Sequence, residues 1–182
     1  TQISNRREIE RKMRALSSGG KPFGLMILDV DYFKRVNDTF GHQTGDQVLI
    51  EVATLLKQAI DMPGGSSGGV GRIGGDEFML LLPGASRASL RAVQQRLLEA
   101  VHADSLLVRL QVTLSMGGAV RTHAWGRADP EGVELFRQAD HALYAAKEAG
   151  RNCARLAPEC VPQSVLKSLP DEAPATLNFD AN

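Results

Sequence analysis

The chain has no surplus of charge of either sign: Lys plus Arg number 21, and Asp plus Glu also 21. No net field is therefore available to hold a polyanion such as DNA or an anionic membrane surface, and any anion the protein binds must be met by a local cluster. Cysteine is nearly absent. Cys153 and Cys160 lie close together near the C-terminal end, without C-x-x-C spacing or paired His ligands, which argues against a metal knuckle and for free thiols in a reducing compartment. No apolar run approaches the ~20 residues a membrane-spanning helix needs, and the first residues lack the basic-then-apolar pattern of a secretory signal. The expectation is a soluble, cytoplasmic domain with no nucleic-acid or membrane contact. His42, His102, His123 and His141 show no ligand spacing and are assigned no catalytic role. At 182 residues the length fits one domain able to bury a core without staples.

What the sequence does contain is an alternation of helical and strand patterns. Ile9, Met13 and Leu16 repeat at helical spacing between Asn5 and Leu16, and Ser17-Ser-Gly-Gly20 stops them. Phe23 to Asp31 is an unbroken apolar run ending in two acids one residue apart, the pattern of a central strand covered on both faces. A polar connection over Asn37 to Gly45 leads to a long helix whose Val48, Leu49, Val52, Leu55, Leu56 and Ile60 share one face. The Gly/Ser-rich stretch Pro63 to Gly69 reads as flexible by composition. Val70 to Ile73 and Glu77 to Leu82 then form two short strands joined through Gly74-Gly75, a hairpin with Asp76 and Glu77 at its tip.

Ser86 is a predicted N-cap for a helix carrying Leu90, Val93, Leu97, Leu98 and Val101. Leu110 to Met116 alternates as a strand ending at Gly117-Gly118, and Asp129-Pro-Glu131 opens a last helix running to Gly150. A short strand is expected around Cys153 to Leu156. Proline recurs at 158, 162, 170 and 174, so residues 1–157 are taken as the domain and 158–182 as a flexible tail. Helices interleaved with strands and a hairpin predict an α/β fold with a central mixed sheet of ferredoxin-like type.

Asp29 closes a buried strand, where an ionised carboxylate is costly unless a cation compensates it. If the hairpin lies beside that strand, Asp29, Asp76 and Glu77 converge, and hard oxygen ligands at such a point suit Mg²⁺. The same spacing also fits Asp29 and Asp31 as strand-end caps and Asp76-Glu77 as a solvated turn. Lys147 and Arg151, four apart at a helix end, either offset the helix dipole or reach a polyphosphate together. Gly69-x-Gly-x-x-Gly74 follows a loop and enters a strand, the wrong context for a dinucleotide fingerprint. Asn37-Asp-Thr39 matches a glycosylation acceptor, which carries no weight without a secretory signal. Trp125 is read as packing.

Gly74-Gly-Asp-Glu-Phe78, with Asp29-Val-Asp-Tyr-Phe-Lys-Arg-Val-Asn-Asp38 upstream, resembles the GGDEF family of diguanylate cyclases. Gly41-His-Gln-Thr-Gly-Asp46, Thr113-Leu-Ser-Met-Gly117, Ala139-Asp140, Ala142 to Lys147 and Gly150-Arg-Asn152 extend the likeness in the family's order over Thr1 to Leu156. The resemblance implies a palm-type fold similar to class III nucleotidyl cyclases. It implies a nucleotidyltransferase that condenses two GTP into cyclic di-GMP across a homodimer, with two Mg²⁺ ions per site, Mn²⁺ being an alternative. By position, Asp29, the Val30 carbonyl, Asp76 and Glu77 would hold metal, with Glu77 activating the hydroxyl. Asn37 and Asp46 would read guanine, while backbone amides at Tyr32 and Phe33, with Lys34, Lys147 and Arg151, would hold the triphosphate.

The family's inhibitory Arg-x-x-Asp falls on Gly65 and Gly68, so no inhibitory site is expected. Because the resemblance begins within the family's opening motif, a sensory or dimerising module ahead of Thr1 is expected. The competing expectation is a weak or non-catalytic GTP-binding, docking module.

Overall fold

The computed structural model describes residues 3–61, 68–159 and Lys167. The first helix, α1 (Arg6–Ser18), begins where Asn5 accepts the Glu8 N–H and ends at Gly19, as its apolar spacing predicts. Strand β1 (Phe23–Val30) is buried nearly throughout and divides the core by parity. Met26, Leu28 and Val30 join one apolar cluster, while Phe23, Leu25 and Ile27 join another. That is why the run shows no polar alternation: helices cover both sides of the sheet.

The Asn37 to Gly45 segment, expected as a polar connection, is helical. Helix α2 (Phe33–Phe40) and α3 (His42–Ile60) meet at Gly41, whose φ of 85° breaks the backbone. The turn residues that suggested a loop mark only this one-residue joint. Strands β2 (Gly69–Arg72) and β3 (Glu77–Pro83) form the expected hairpin. The Gly/Ser stretch, apart from Gly68 and Gly69, lies outside the described residues, as do Cys160 and most of the tail.

Helix α4 (Arg87–Ala103) starts at the predicted Ser86, which forms a reciprocal capping box with Ser89. The strand expected from Leu110 begins later. Asp104 caps a short helix, α5 (Ser105–Arg109), by accepting the Leu106 and Leu107 N–H groups, and Gln111 turns the chain at φ 55° before β4 (Leu114–Arg121). Gly117-Gly118 lies inside that strand rather than ending it, because a Cβ on Gly117 would stand 2.1 Å from the Leu143 backbone nitrogen. Glycine here lets the next helix lie directly on the sheet.

That helix, α6 (Val133–Glu148), also starts later than Asp129-Pro-Glu131 suggested. Gly132 makes the entry turn, and Asp129 reaches forward to accept the Glu134 and Leu135 N–H groups. Trp125, in a single 3₁₀ turn, is 1% exposed beside the buried Arg121, which bears out its reading as packing. The final strand, β5 (Ala154–Leu156), pairs parallel with β4.

The sheet order is β2-β3-β1-β4-β5, with β3 antiparallel between β2 and β1, and β4 antiparallel to β1. This is the split arrangement of a ferredoxin-like, palm-type sheet. Helices α3 and α4 pack on one face, α1 and α6 on the other.

Candidate functional site

Parity on β1 aims the first acid. Asp29 follows Leu25 and Ile27 onto the face covered by α6, and there Lys147 Nζ stands 2.8 Å from Asp29 Oδ2. The register of β1 with β3 sets Asp29 opposite Glu77, and the Val30 N–H donates to the Asp76 carbonyl at 3.1 Å. The hairpin tip is thereby fastened to the end of the central strand, as convergence requires.

Electrostatics report the same neighbourhood. Burial pushes the Asp29 carboxyl above its ordinary range; Lys147 opposes the shift and the charges of Asp76 and Asp31 add to it. Glu77 is raised as well, first by burial, then by Asp29, with Asp76 and Asp140 adding and Lys147 opposing. The acids form one field with Lys147 inside it. Among the described residues, no three acidic, His or Cys side chains stand as a ready metal cage. The Lys147 ammonium is the cation that holds Asp29. The donor set of carboxylates beside a strand-end carbonyl, all hard oxygens carrying partly uncompensated charge, fits a divalent ion of the magnesium kind.

The hairpin is shaped for this role. A Cβ on Gly74 would stand 2.7 Å from Glu77 Oε2, whereas Gly75 faces open space. Arg72 donates from Nε to the Gly74 and Gly75 carbonyls at 3.1 Å and so braces the tip. Sequence reasoning did not single out Arg72, and its only signal is its place two residues before the diglycine.

A second group gathers at the start of α2 and α3. Tyr32 adopts a left-handed conformation, φ 55°, at the α2 N-terminus, and the first amides of the helix, at Phe33 and Lys34, have no intrahelical acceptors. The Phe33 ring is buried, so only its backbone is available to a ligand. The Lys34 side chain is exposed and meets none of the acids. Asn37 packs so tightly on α3 that a Cβ on Gly45 would stand 1.9 Å from Asn37 Oδ1. Its carboxamide therefore lies against the first turn of α3, one residue from the exposed Asp46. Arg151 does not join Lys147 at Asp29; its guanidinium lies 4.8 Å over the Tyr32 ring.

Asp31, which the sequence offered only as a strand-end cap, is 2% exposed and accepts hydrogen bonds from Thr113, Ser115 and Asn152. A cavity of about 160 Å³ between α2 and the end of α5 is lined by Asp31, Tyr32, Arg35, Phe40 and Arg109, and its lining includes neither Asn37 nor Asp46.

The comparisons with known proteins agree with this geometry. The sequence profile of the family described as diguanylate cyclase, GGDEF domain, matches residues 1–153. The response regulator PleD of Caulobacter vibrioides is 34% identical over 84% of the chain and 34% of its own length. The chain thus spans about a third of that relative. The active GGEEF domain of a diguanylate cyclase from Vibrio cholerae superposes with a TM-score of 0.77 at 27% identity, over 87% of this chain and all of that one. The coiled coil and GGDEF domain of DgcB from Caulobacter crescentus, solved with c-di-GMP, gives 0.72 at 32% identity, over 86% and 83%. On its motifs, its sheet and these likenesses, the chain belongs to the diguanylate cyclase GGDEF domain family.

Proposed function

We propose that this chain condenses two GTP molecules into cyclic di-GMP, releasing two pyrophosphates, with two copies facing each other so that each presents its nucleotide's 3′-hydroxyl to the other's α-phosphate. The observation that carries the reading is the β1–β3 register. It sets Asp29 opposite Glu77 and ties Asp76 to Val30 at one strand end, with a displaceable ammonium on Asp29. A purely structural strand end has no need of three coupled acids.

Asp29, the Val30 carbonyl and Asp76 would hold the divalent metal on which members of this family depend, with Glu77 beside them. When bound, two ions, here taken as Mg²⁺ with Mn²⁺ able to replace it, supply Lewis-acid activation of the hydroxyl and neutralise triphosphate charge. The remaining work belongs to the protein. The amides at Tyr32 and Phe33, together with Lys147 and Arg151, hold the triphosphate, the lysine as a point charge and the arginine as a fork; Lys34 flanks them from the exposed side of α2. Lys147 exchanges Asp29 for phosphate as the nucleotide arrives. Asp46 accepts from guanine N1–H and the 2-amino group, and the Asn37 amide completes that edge, which adenine lacks. Glu77, whose carboxyl pKa burial raises, would receive the proton from the hydroxyl. We assign the chain to the cytoplasm, where GTP is supplied.

Incubation of the chain, fused to a dimerising partner, with GTP and Mg²⁺ tests this. Cyclic di-GMP should form, and Asp76→Asn or Asp29→Asn should lower the rate by on the order of a hundredfold or more, the scale of losing several kcal/mol of transition-state stabilisation. No product from a demonstrably dimeric, folded chain would refute the reading.

A further inference from the structure

Three non-glycine residues beside the acids hold left-handed backbone: Tyr32 at φ 55°, Arg151 at 65° and Asn152 at 48°. Such conformations are unfavourable for residues carrying a Cβ and persist only where surrounding contacts over-determine them. Here those contacts meet at Asp31, a carboxylate with no assigned part in the chemistry.

Asp31 is 2% exposed and has no cation partner among the described residues; neutral donors satisfy it. Its Oδ1 accepts from Ser115 Oγ at 2.6 Å, and its Oδ2 accepts from Thr113 Oγ1 at 2.6 Å and from the Asn152 N–H at 3.1 Å. Its own N–H donates to the Thr113 carbonyl at 2.9 Å. Asp31 thus anchors two segments far apart in sequence. Its chain neighbour is Tyr32, and the residue it holds is the neighbour of Arg151. The Tyr32 ring is 63% exposed, so core burial does not place it. Arg151 lies over that ring, and its N–H donates to the Ala146 carbonyl at 3.1 Å. The Asn152 side chain is steadied from α4 by His102, at 2.9 Å.

We infer that Asp31 is a positioning residue, which sets the Arg151–Tyr32 pair to receive the nucleotide's phosphates by holding the left-handed Arg151-Asn152 turn through the Asn152 amide. This rests on the reading of Arg151 as a phosphate ligand. A carboxamide at position 31 could keep its oxygen on the Asn152 N–H while the Ser115 hydroxyl rotates to accept from its amino group. A methyl group offers no acceptor.

The test is a cycle of Asp31→Ala and Arg151→Ala in the dimerised chain, following initial rates against GTP concentration. Asp31→Ala should raise KM for GTP about tenfold, the equivalent of one charge-assisted hydrogen bond, with a much smaller change in kcat, and Asp31→Asn should restore most of it. In the Arg151→Ala background, Asp31→Ala should add less than about twofold, since nothing remains to position. A full additional tenfold there, or a lowered kcat at unchanged KM, would overturn the inference while leaving the cyclase reading intact. An ordinary KM for Arg151→Ala alone would overturn the phosphate reading and the inference with it. Should Asp31→Ala not fold, Thr113→Val with Ser115→Ala, which removes both hydroxyl donors to the carboxylate, must raise KM with the same dependence on Arg151.

Discussion

Asp29 and Glu77 are more protonated in the folded chain than in the unfolded one, because burial raises both carboxyls and neighbouring acids add to it, Asp76 and Asp31 at Asp29 and Asp29, Asp76 and Asp140 at Glu77, against the opposing charge of Lys147. Folding therefore takes up protons between the ordinary carboxyl range and the raised values. The contribution to stability is present below that window, falls as pH rises through it and is level above. Thermal melts of the metal-free chain between pH 4 and 8 should show this decline, and Glu77→Gln should flatten it. Mg²⁺ should recover stability at the upper end, where the carboxylates are free to bind it. The sequence placed Asp29 at a costly position and inferred a cation. It did not reveal that Lys147, 2.8 Å away, already serves as one, because that pairing depends on which β1 face α6 covers.

Single elements carry their own tests. The Ser86–Ser89 capping box opens α4 far from the acids, so Ser86→Ala should lower stability by about 1 kcal/mol with KM and kcat unchanged. A shifted urea midpoint at constant slope would show it. Gly117→Ala is a harsher change. The new methyl would meet the Leu143 nitrogen at 2.1 Å and the Ala139 carbonyl at 2.2 Å, backbone atoms that cannot rotate aside. Overpacking of this kind costs roughly 1–3 kcal/mol or more, and α6 must lift, carrying Lys147 with it. Both stability and activity should fall, as urea melts and product formation would show. The elements that were legible share a strong local signal: the apolar run of β1, the diglycine hairpin and the serine cap of α4. Those misjudged do not. Helix α2 is short and polar, α5 spans one turn, and the α6 entry relies on Asp129 reaching five and six residues ahead, contacts that a local pattern does not show.

For the molecule as a whole, the proposed chemistry needs two sites facing each other, so specific activity of the chain should rise with its concentration and become independent of it once two copies are fused. Steady-state rates across a dilution series would decide this. Product control offers a second test. At position 68 a Cβ would stand 2.8 Å from the Leu81 carbonyl, so the backbone there runs too close to β3 for a larger side chain, and glycine presents no group to a guanine or phosphate. Initial rates should be nearly unchanged by excess cyclic di-GMP; strong inhibition at micromolar product would contradict this.

Residue chemistry and spacing determined the α/β class, the order of the main elements and the acids at issue, and the motifs in their fixed order carried the resemblance to the family. Only the tertiary structure decided what each group faces. The parity of β1 gives Asp29 to α6, the β1–β3 register brings Asp76 and Glu77 to it, and Asp31 joins the ends of β1 and β4 to the turn after α6. Those partners are brought together by strand pairing and helix packing across the chain, and such long-range contacts leave no periodic trace in the residues that make them.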